Sequence, residues 1–349
     1  MLSVTLLIVG SCQPGHIANY IASGARQLGL DHRVLDASAA EARSRLGRSF
    51  YWRLRAKRPA RMDRFAARVL ETCAASRCSF VLTTGCAPLD RSHIERIRSL
   101  GARIVNYSTD DPWNPALRAP WFLSALPSYD AVFTPRHANM DDFRRSGVRT
   151  VRYLPFAYDP EVHRPWPEAA SSAAPSDVLF VGGCDNDRLP LIGALIKAGL
   201  NLALFGGYWD SHRMTRAHWR GLANQDTIRS ASAAAQISLC LVRRANRDSH
   251  VMRSFEAAAI GGCILAEDTA DHRELFGPDD QAVRYFNTVD EMVRQAKRLV
   301  ADAGARHRLA TKLRQRMAGG GHSYADRLAT MLKLSNVENL SSHLKKPFL

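Results

Sequence analysis

The 349-residue sequence contains no apolar run of the roughly 20 residues that a membrane-spanning helix requires. Its first apolar run, within MLSVTLLIVGSC, is short and has no Lys or Arg before it, so we interpret it as a first strand rather than a signal segment. The seven cysteines are odd in number and show no C-x-x-C spacing, which indicates a reduced compartment and no structural zinc. We therefore expect a cytoplasmic protein without a transmembrane helix.

Acidic residues are also scarce relative to basic ones. The sequence contains 33 Asp and Glu and 48 Lys and Arg, which gives a formal net charge of +15. Such an excess favours anionic partners, among them phosphate groups, nucleic acid and acidic membrane surfaces. A high-GC genome would produce the same enrichment in Arg without functional meaning, so the charge alone does not choose among these partners.

Short β-branched runs alternate with longer amphipathic segments in two series along the chain. This alternation predicts two parallel, doubly wound sheets, each a Rossmann-like α/β domain. The predicted strands of the two series are 4–9, 32–35, 80–83, 103–107 and 131–134, then 178–181, 202–205, 237–241, 263–266 and 282–285. The predicted helices are 17–28, 61–75, 91–100 and 138–146, then 189–197, 251–260, 289–302, 306–317 and 323–334.

A segment of different composition separates the two series. Five prolines and a Ser/Ala cluster occur between residues 154 and 177, which is typical of a linker. We therefore predict an N-terminal domain at 1–154, a linker at 155–177 and a C-terminal domain at 178–322. A helix at 323–335 would pack back towards the N-terminal domain, and 336–349 would form a tail. Ligands of open α/β sheets bind at the carboxyl ends of the strands, so the two domains would face each other across a cleft.

Charged residues and glycines in the C-terminal half suggest a binding site. In DSHVMRSFEAAAIGGCILAEDT, residues 248–269, Arg253 and Glu256 project from one side of a helix that we expect to begin at Ser249. Such a pair is usually an ion pair on a solvated helix face. Two Gly-Gly turns, each directly after a predicted strand, favour a binding role instead, and Tyr208–Trp209 beside the second turn could stack on a base.

Several sequence segments of the C-terminal half resemble those of the GT-B glycosyltransferases, most closely the group related to the spore-coat maturation protein CgeB. They are FVGGCDNDR, LALFGGYW, DSHVMRSFEAAAIGGCILAED, ELF and HSYADRLATML, in that order and spacing. In the N-terminal half only the layout and NYSTDDPW, residues 106–113, are similar. The resemblance implies a GT-B fold, in which an N-terminal acceptor domain and a C-terminal donor domain bind a nucleotide sugar and its acceptor.

The resemblance also implies which residues bind the donor. A diphosphate needs positive charge and free N–H groups, which Arg253 and a helix N-terminus at Ser249 would supply. Glu256 would accept hydrogen bonds from the ribose hydroxyls. Related enzymes often carry two Glu separated by seven residues, and here Asp248 takes the first place. The predicted donor-binding residues are Gly182, Gly183, Gly206, Gly207, Tyr208, Trp209, Asp248, Ser249, His250, Arg253 and Glu256.

The candidate catalytic residues lie in the N-terminal half. Gly15–His16, at the start of the first helix, resembles the Gly-His of inverting GT-B enzymes, in which the histidine removes the acceptor proton. Asp110 and Asp111 follow another strand of the same sheet, so either could orient His16 or act as the base. All three could equally be ordinary helix-terminal or capping residues. A retaining mechanism would need no such base and would leave His16 to position the acceptor.

Two further patterns bear on metals and partners. Asp185 and Asp187 form a D-x-D pair that could bind a divalent cation, but we interpret them as a loop and helix cap and predict no required metal and no cofactor. Residues 43–68 hold nine Arg and one Lys against Asp63, with Phe50–Tyr51–Trp52 among them. These residues could form a solvated face or contact nucleic acid, but we favour an anionic membrane or a lipid-diphosphate acceptor, and so a peripheral location at the inner face of a membrane.

The sequence thus predicts a metal-independent glycosyltransferase that uses a nucleotide-diphosphate sugar and a glycan, lipid-linked, protein or small-molecule acceptor. Two alternatives stay open. One is a GT-B epimerase or hydrolase that acts on the nucleotide sugar alone. The other is a basic binding module for glycan or nucleic acid without chemistry, because a fold does not by itself imply a function.

Overall fold

The computed structural model describes residues 5–42, 44–167 and 173–335. The chain forms two compact units, the first from Met1–Pro155, Ala245–Arg247 and Tyr324–Leu349 and the second from Phe156–Arg244 and Asp248–Ser323, each in its described part. The predicted tail at 336–349, residues 168–172 of the predicted linker, and Arg43 lie outside the described residues. Within the described ranges, none of the helices combines the length and the apolar character needed to cross a membrane.

The first unit contains a six-stranded parallel sheet with the order β2-β1-β3-β4-β5-β6. Its central strands are buried on both faces and are rich in Val, Ile and Leu, as expected for a sheet covered by helices on either side. Its strands are β1 (Leu6–Gly10), β2 (His32–Asp36), β3 (Phe80–Thr84), β4 (Arg103–Tyr107), β5 (Ala131–Thr134) and β6 (Val151–Tyr153).

Helices follow most strands of this sheet, and short 3₁₀ turns complete the connections. Amphipathic spacing explains the longer helices; in α1, for example, Ile17, Tyr20 and Ile21 all face the core. The helices are α1 (Ile17–Gln27), α2 (Arg45–Leu54), α3 (Met62–Ala75), α4 (Arg91–Ser99), α5 (Pro120–Ala125) and α6 (Met140–Arg145).

The C-terminal helix, Tyr324–Leu334, belongs to the first unit, where it packs on α1. The Tyr20 and Tyr324 rings stack with centroids 5.5 Å apart. A Cβ atom on Gly24 would lie 2.8 Å from the backbone nitrogen of Ala325, so this close helix contact depends on glycine.

The second unit contains a five-stranded parallel sheet with the order β11-β10-β9-β7-β8. Its strands are β7 (Ser176–Val181), β8 (Leu202–Phe205), β9 (Ala235–Cys240), β10 (Ile264–Glu267) and β11 (Arg284–Phe286). Its helices are α7 (Arg188–Lys197), α8 (Gln225–Ala234), α9 (Met252–Ile260), α10 (Ala270–Phe276), α11 (Val289–Ala301) and α12 (Ala303–Ala318). The C-terminal helix is therefore α13.

Two parallel sheets with flanking helices confirm the predicted fold class. All ten predicted strands are present, but the short edge strand β6 was not predicted. The helices α2, α5, α8 and α10 were also missed; α5 and α10 have only 6 and 7 residues and so offer little periodicity. The helix expected to begin at Ser249 begins instead at Met252, so residues 249–251 form the approach to α9.

Candidate functional site

Two glycine turns lie side by side at the carboxyl ends of β7 and β8. The N–H of Gly182 donates to the carbonyl of Phe205 at 2.8 Å, and the N–H of Cys184 donates to the carbonyl of Gly207 at 3.0 Å. A Cβ atom on Gly206, whose φ is +131°, would lie 2.3 Å from the carbonyl oxygen of Gly182. The two turns therefore touch through their backbones, which only glycine permits here.

The two aromatic residues after the second turn, Tyr208 and Trp209, lie in different environments. Tyr208 is 73% exposed and adopts a left-handed φ of +71°. Trp209 is completely buried, and its indole N–H donates to the carbonyl of Gly182 at 2.7 Å. The prediction of a stacking face on Trp209 is therefore wrong, because this side chain ties the two glycine turns together from within the core. Tyr208 alone can offer a face to a base.

An arginine that was not among the predicted site residues lies beside the first glycine turn. Arg188 Nη1 donates to the carbonyl of Gly183 at 3.2 Å. Burial lowers the pKa of Arg188, while Asp185 and Asp248 act in the opposite direction. The guanidinium is therefore part of a charged cluster at this edge of the sheet. Its position directly after FVGGCDND was the sequence signal that could have identified it.

Asp185 caps α7, the helix that begins with Arg188. Its Oδ1 accepts the N–H of Arg188, the first residue of α7, at 2.9 Å and the N–H of Asp187 at 3.1 Å. This is the capping role predicted for the D-x-D pair. The absence of a required metal stays a prediction.

Another group of possible metal ligands was found in the first unit. Asp63, Asp90 and His93 bring their ligand atoms together, and it is the one such group among the described residues. Arg58 already supplies positive charge there, at 2.9 Å from Asp63 and 3.1 Å from Asp90. Asp90 also accepts the N–H of His93 to cap α4, so the group forms a helix-capping network.

The carboxylate of Glu256 is fully buried in the second unit, one turn into α9. Its Oε2 pairs with Arg253 Nη1, and its Oε1 lies 3.3 Å from His163 Nε2. His163 Nδ1 accepts the N–H of Asp159 at 2.9 Å, which places the ring proton on Nε2, facing the carboxylate. Burial would raise the pKa of Glu256, but Arg253 and His163 outweigh it and hold the pKa at about 2.

The Arg253–Glu256 ion pair, which was the alternative to a binding role, is present, but it is not on a solvated face: Glu256 is fully buried and the Arg253 side chain is 25% exposed. His163 was missed because no local motif marks it; it reaches Glu256 from the segment after Pro155, far away in sequence. In the structure Glu256 faces its protein partners, and its predicted contact with ribose remains a prediction.

The other members of the predicted donor set surround the start of α9. Asp248 and Ser249 are half-buried, and the Ser249 carbonyl accepts from the Thr269 hydroxyl at 2.5 Å. His250 is fully buried: its Nε2 accepts the N–H of Phe156 and its Nδ1 lies 3.1 Å from Asp271 Oδ2. Both ring nitrogens are thus engaged within the protein, so the predicted ligand contact of His250 is corrected to a role in holding the α9 approach.

His16 is exposed in the first unit, at the N-terminus of α1. The charge of His16 acts on the carboxylate of Asp36, at the end of β2. Partial burial acts to raise the pKa of Asp36, but hydrogen bonds from Ser38 and Cys12 and the charge of His16 hold it below its usual range. Asp36 was not among the predicted catalytic residues, because it follows a different strand from Asp110 and Asp111.

The predicted acids Asp110 and Asp111 are engaged by a distant part of the chain. Asp111 is buried, and its two oxygens accept from Arg247 Nη2 at 3.0 Å and Nε at 2.6 Å. Both carboxylate oxygens are thus occupied by Arg247, so the catalytic prediction for Asp111 is corrected to a structural role. Asp110 Oδ1 accepts from Asn246 Nδ2 at 3.0 Å and is only half-buried.

Several known protein structures resemble this chain in fold. The chain is similar to sucrose-phosphate synthase from Thermosynechococcus elongatus, with a TM-score of 0.68 and 11% identity over 95% of this chain and 98% of that one. It is also similar to Anabaena HepE in complex with UDP (0.60, 12%, 97% and 100%) and to T4 phage BGT in complex with its UDP-glucose substrate (0.59, 11%, 96% and 100%). The chain has the GT-B fold.

Sequence comparison covers a smaller part of this GT-B chain. Residues 188–333 match a family model described as glycosyl transferase-like. No curated protein matches the sequence. The matched residues include Arg188, Asp248, Arg253 and Glu256 but not His16.

The buried carboxylate generates a prediction about stability. A pKa lowered from 4.5 to about 2 means that Glu256 stabilises the folded state above pH 4.5 and loses this contribution as the pH falls towards 2. The shift corresponds to roughly 3 kcal/mol. We expect Glu256→Gln to destabilise the protein by about that amount at pH 7 and the difference from wild type to shrink below pH 4.5, measured by denaturant unfolding.

The exposed Glu274 on α10 supplies the control. Glu274→Gln should leave the unfolding free energy within about 0.5 kcal/mol of wild type at every pH. A Glu256→Gln variant as stable as this control, or one whose deficit is independent of pH, would show that the triad with Arg253 and His163 does not hold an ionised carboxylate.

Proposed function

We propose that the protein transfers a sugar from a nucleotide-diphosphate sugar to an acceptor hydroxyl, with the donor on the second unit and the acceptor on the first. The observation that carries this proposal is the pair of glycine turns beside Arg188. Backbone turns without side chains, next to a guanidinium, are suited to a diphosphate. The family similarity of residues 188–333 and the UDP and UDP-glucose complexes of HepE and BGT support it.

The phrases shared with the CgeB-related group support placing the protein in that group. The acceptor would be a glycan, a lipid-linked glycan, a protein or a small molecule with a hydroxyl group. Nucleic acid is not proposed as a partner.

Positive charge for the diphosphate would come from the protein. Arg188 lies at the glycine turns, Arg253 is in the first turn of α9, and the N-terminal N–H groups of α9 add the positive end of a helix dipole. With these groups present a divalent cation is not needed, so we propose a metal-independent enzyme.

Arg253 would change partners when the donor binds. In the structure it pairs with Glu256, and its side chain is 25% exposed. If Arg253 turns to the diphosphate, one oxygen of Glu256 becomes available for a ribose hydroxyl while His163 continues to hold the other. The predicted role of Glu256 thus requires this exchange.

The donor site is tested by nucleotide binding in the presence of EDTA. Arg253→Ala should weaken the binding of the nucleotide diphosphate about ten- to hundredfold, since a hydrogen bond to a charged group is worth roughly 1.5–3 kcal/mol. Isothermal titration calorimetry measures this, with Arg294→Ala, an exposed arginine of α11, as the matched control. Unchanged affinity in Arg253→Ala would refute the donor site, and binding that EDTA abolishes would refute metal independence.

His16 is the proposed base that removes the acceptor proton. It is exposed and its charge interacts with Asp36, which would stabilise the imidazolium formed when the proton is taken. Asp36 thus takes the orienting role that was predicted for Asp110 or Asp111. It applies if the sugar is transferred with inversion.

Replacing His16 tests this role. His16→Ala should reduce kcat roughly 10²–10⁴-fold, the usual contribution of a positioned base, and leave donor affinity unchanged. Asp36→Asn should cause a smaller loss of the same kind. Steady-state kinetics and the anomeric configuration of the product decide the matter: near-normal turnover of His16→Ala, or a product with the donor's configuration, would leave His16 without this role.

Helix α2 supports peripheral contact with an anionic membrane at its inner face. Phe50 and Leu54 are 50% and 71% exposed and lie four residues apart, hence on one side of the helix. Arg53 and Arg55 are exposed beside them. Exposed apolar and basic side chains on one short helix are typical of an interfacial helix.

The membrane contact predicts binding to vesicles that contain phosphatidylglycerol. Phe50→Ser should reduce co-sedimentation with such vesicles severalfold, because an apolar side chain can no longer enter the interface. Val289→Ser, a change at another exposed apolar residue, should not. Equal binding of both variants and wild type would remove α2 from the interface.

A further inference from the structure

A cavity of about 360 Å³ lies against α3 in the first unit. Three arginines, Arg61, Arg64 and Arg68, line it together with Glu71, and Ala39 contributes from the turn before α2. We call it the α3 cavity. The arginines are three and four residues apart, so they share one side of the helix.

The basic residues of this part of the chain differ in their hydrogen-bond and ion-pair partners. Lys57 Nζ donates to the carbonyls of Pro115 and Arg118, both at 3.0 Å, and Arg58 pairs with Asp63 and Asp90. These two cations hold the fold together. By contrast, no ion pair joins Arg61, Arg64 or Arg68 to a carboxylate among the residues that the structure describes.

Three like charges in successive helical turns repel each other. Around the α3 cavity, three guanidinium groups and one carboxylate leave an excess of positive charge, which favours an anionic phosphate group. Arg61 also stands at the N-terminus of α3, where the helix dipole favours an anion. The planar fork of Arg suits phosphate oxygens, and a volume of 360 Å³ is within the range of small-ligand pockets.

Glu71 narrows the choice of ligand. It lies seven residues beyond Arg64, roughly 10 Å further along the helix axis. A carboxylate at that end repels a second anionic group but accepts hydrogen bonds from hydroxyls. The ligand that fits both ends has one phosphate and a neutral part that carries hydroxyl groups.

We propose that the α3 cavity binds a hydroxyl-bearing phosphate ester, with its phosphate between Arg61, Arg64 and Arg68 and a hydroxyl at Glu71. The ester could be a lipid headgroup or a soluble molecule, since both present the same chemistry. The site is separate from the donor residues of the second unit, so the inference goes beyond the proposed transferase activity and stands if that activity fails.

Glycerol 3-phosphate, inorganic phosphate and phosphatidylglycerol vesicles are the probes. Calorimetry should show saturable binding of glycerol 3-phosphate that is tighter than that of inorganic phosphate, or co-sedimentation should show saturable binding to the vesicles alone. The first result indicates a soluble ester and the second a lipid headgroup. In either case Arg64→Ala and Arg68→Ala should each weaken binding about tenfold or more.

The matched control is Arg96→Ala, which removes an exposed arginine from α4 of the same unit and should change nothing. Glu71→Gln should reduce the preference for glycerol 3-phosphate over inorganic phosphate. Arg64 and Arg68 are both exposed, and circular dichroism verifies that the variants fold. Absence of saturable binding in both arms, or an equal effect of Arg96→Ala, would overturn the proposal. UDP-sugar turnover, assayed separately, reports on the donor site instead.

Discussion

One buried negative charge, the carboxylate of Glu256, organises the second unit. An ionised group this deep in a protein is tolerated only with charged or hydrogen-bonding partners, because removal from water costs several kcal/mol. Arg253 supplies one partner from α9 itself, and His163 supplies the other from the segment after Pro155. The same segment donates the N–H of Phe156 to His250 at the approach to α9. The helix that begins with Met252 is therefore held at two places, by the charge contacts of Glu256 and by the hydrogen bond to His250.

The first unit also contains a buried carboxylate that is paired with an arginine. Asp111 is buried and accepts two hydrogen bonds from Arg247, a residue whose left-handed φ of +53° is unfavourable for a side chain of this kind. Arg247 also pairs with Asp142, and Asp111 is the main cause of the raised pKa of Arg247. The strained backbone is thus compensated by two ion pairs. In both units, charged residues that the sequence marks as candidate site residues also hold the fold.

Local patterns explain what the sequence could predict. Parallel strands buried on both faces appear as continuous apolar runs, which is why β4, β5 and β8 match their predicted bounds. The glycine turns were found because they directly follow such strands. His163, Asp36 and Arg247 could not be found in the same way, since each acts on a partner that is distant in the chain. Burial was equally hidden: nothing in GGYW distinguishes the exposed Tyr208 from the fully buried Trp209.

We propose that the second unit binds a nucleotide sugar and that the protein transfers its sugar. The most direct measurement is nucleotide release from a panel of UDP-, GDP- and dTDP-sugars, with and without acceptor extracts. We expect release from one class of donor, and we expect this release to depend on an acceptor. Release that needs no acceptor would indicate a hydrolase or epimerase, and no release or binding with any donor would contradict the proposed transfer.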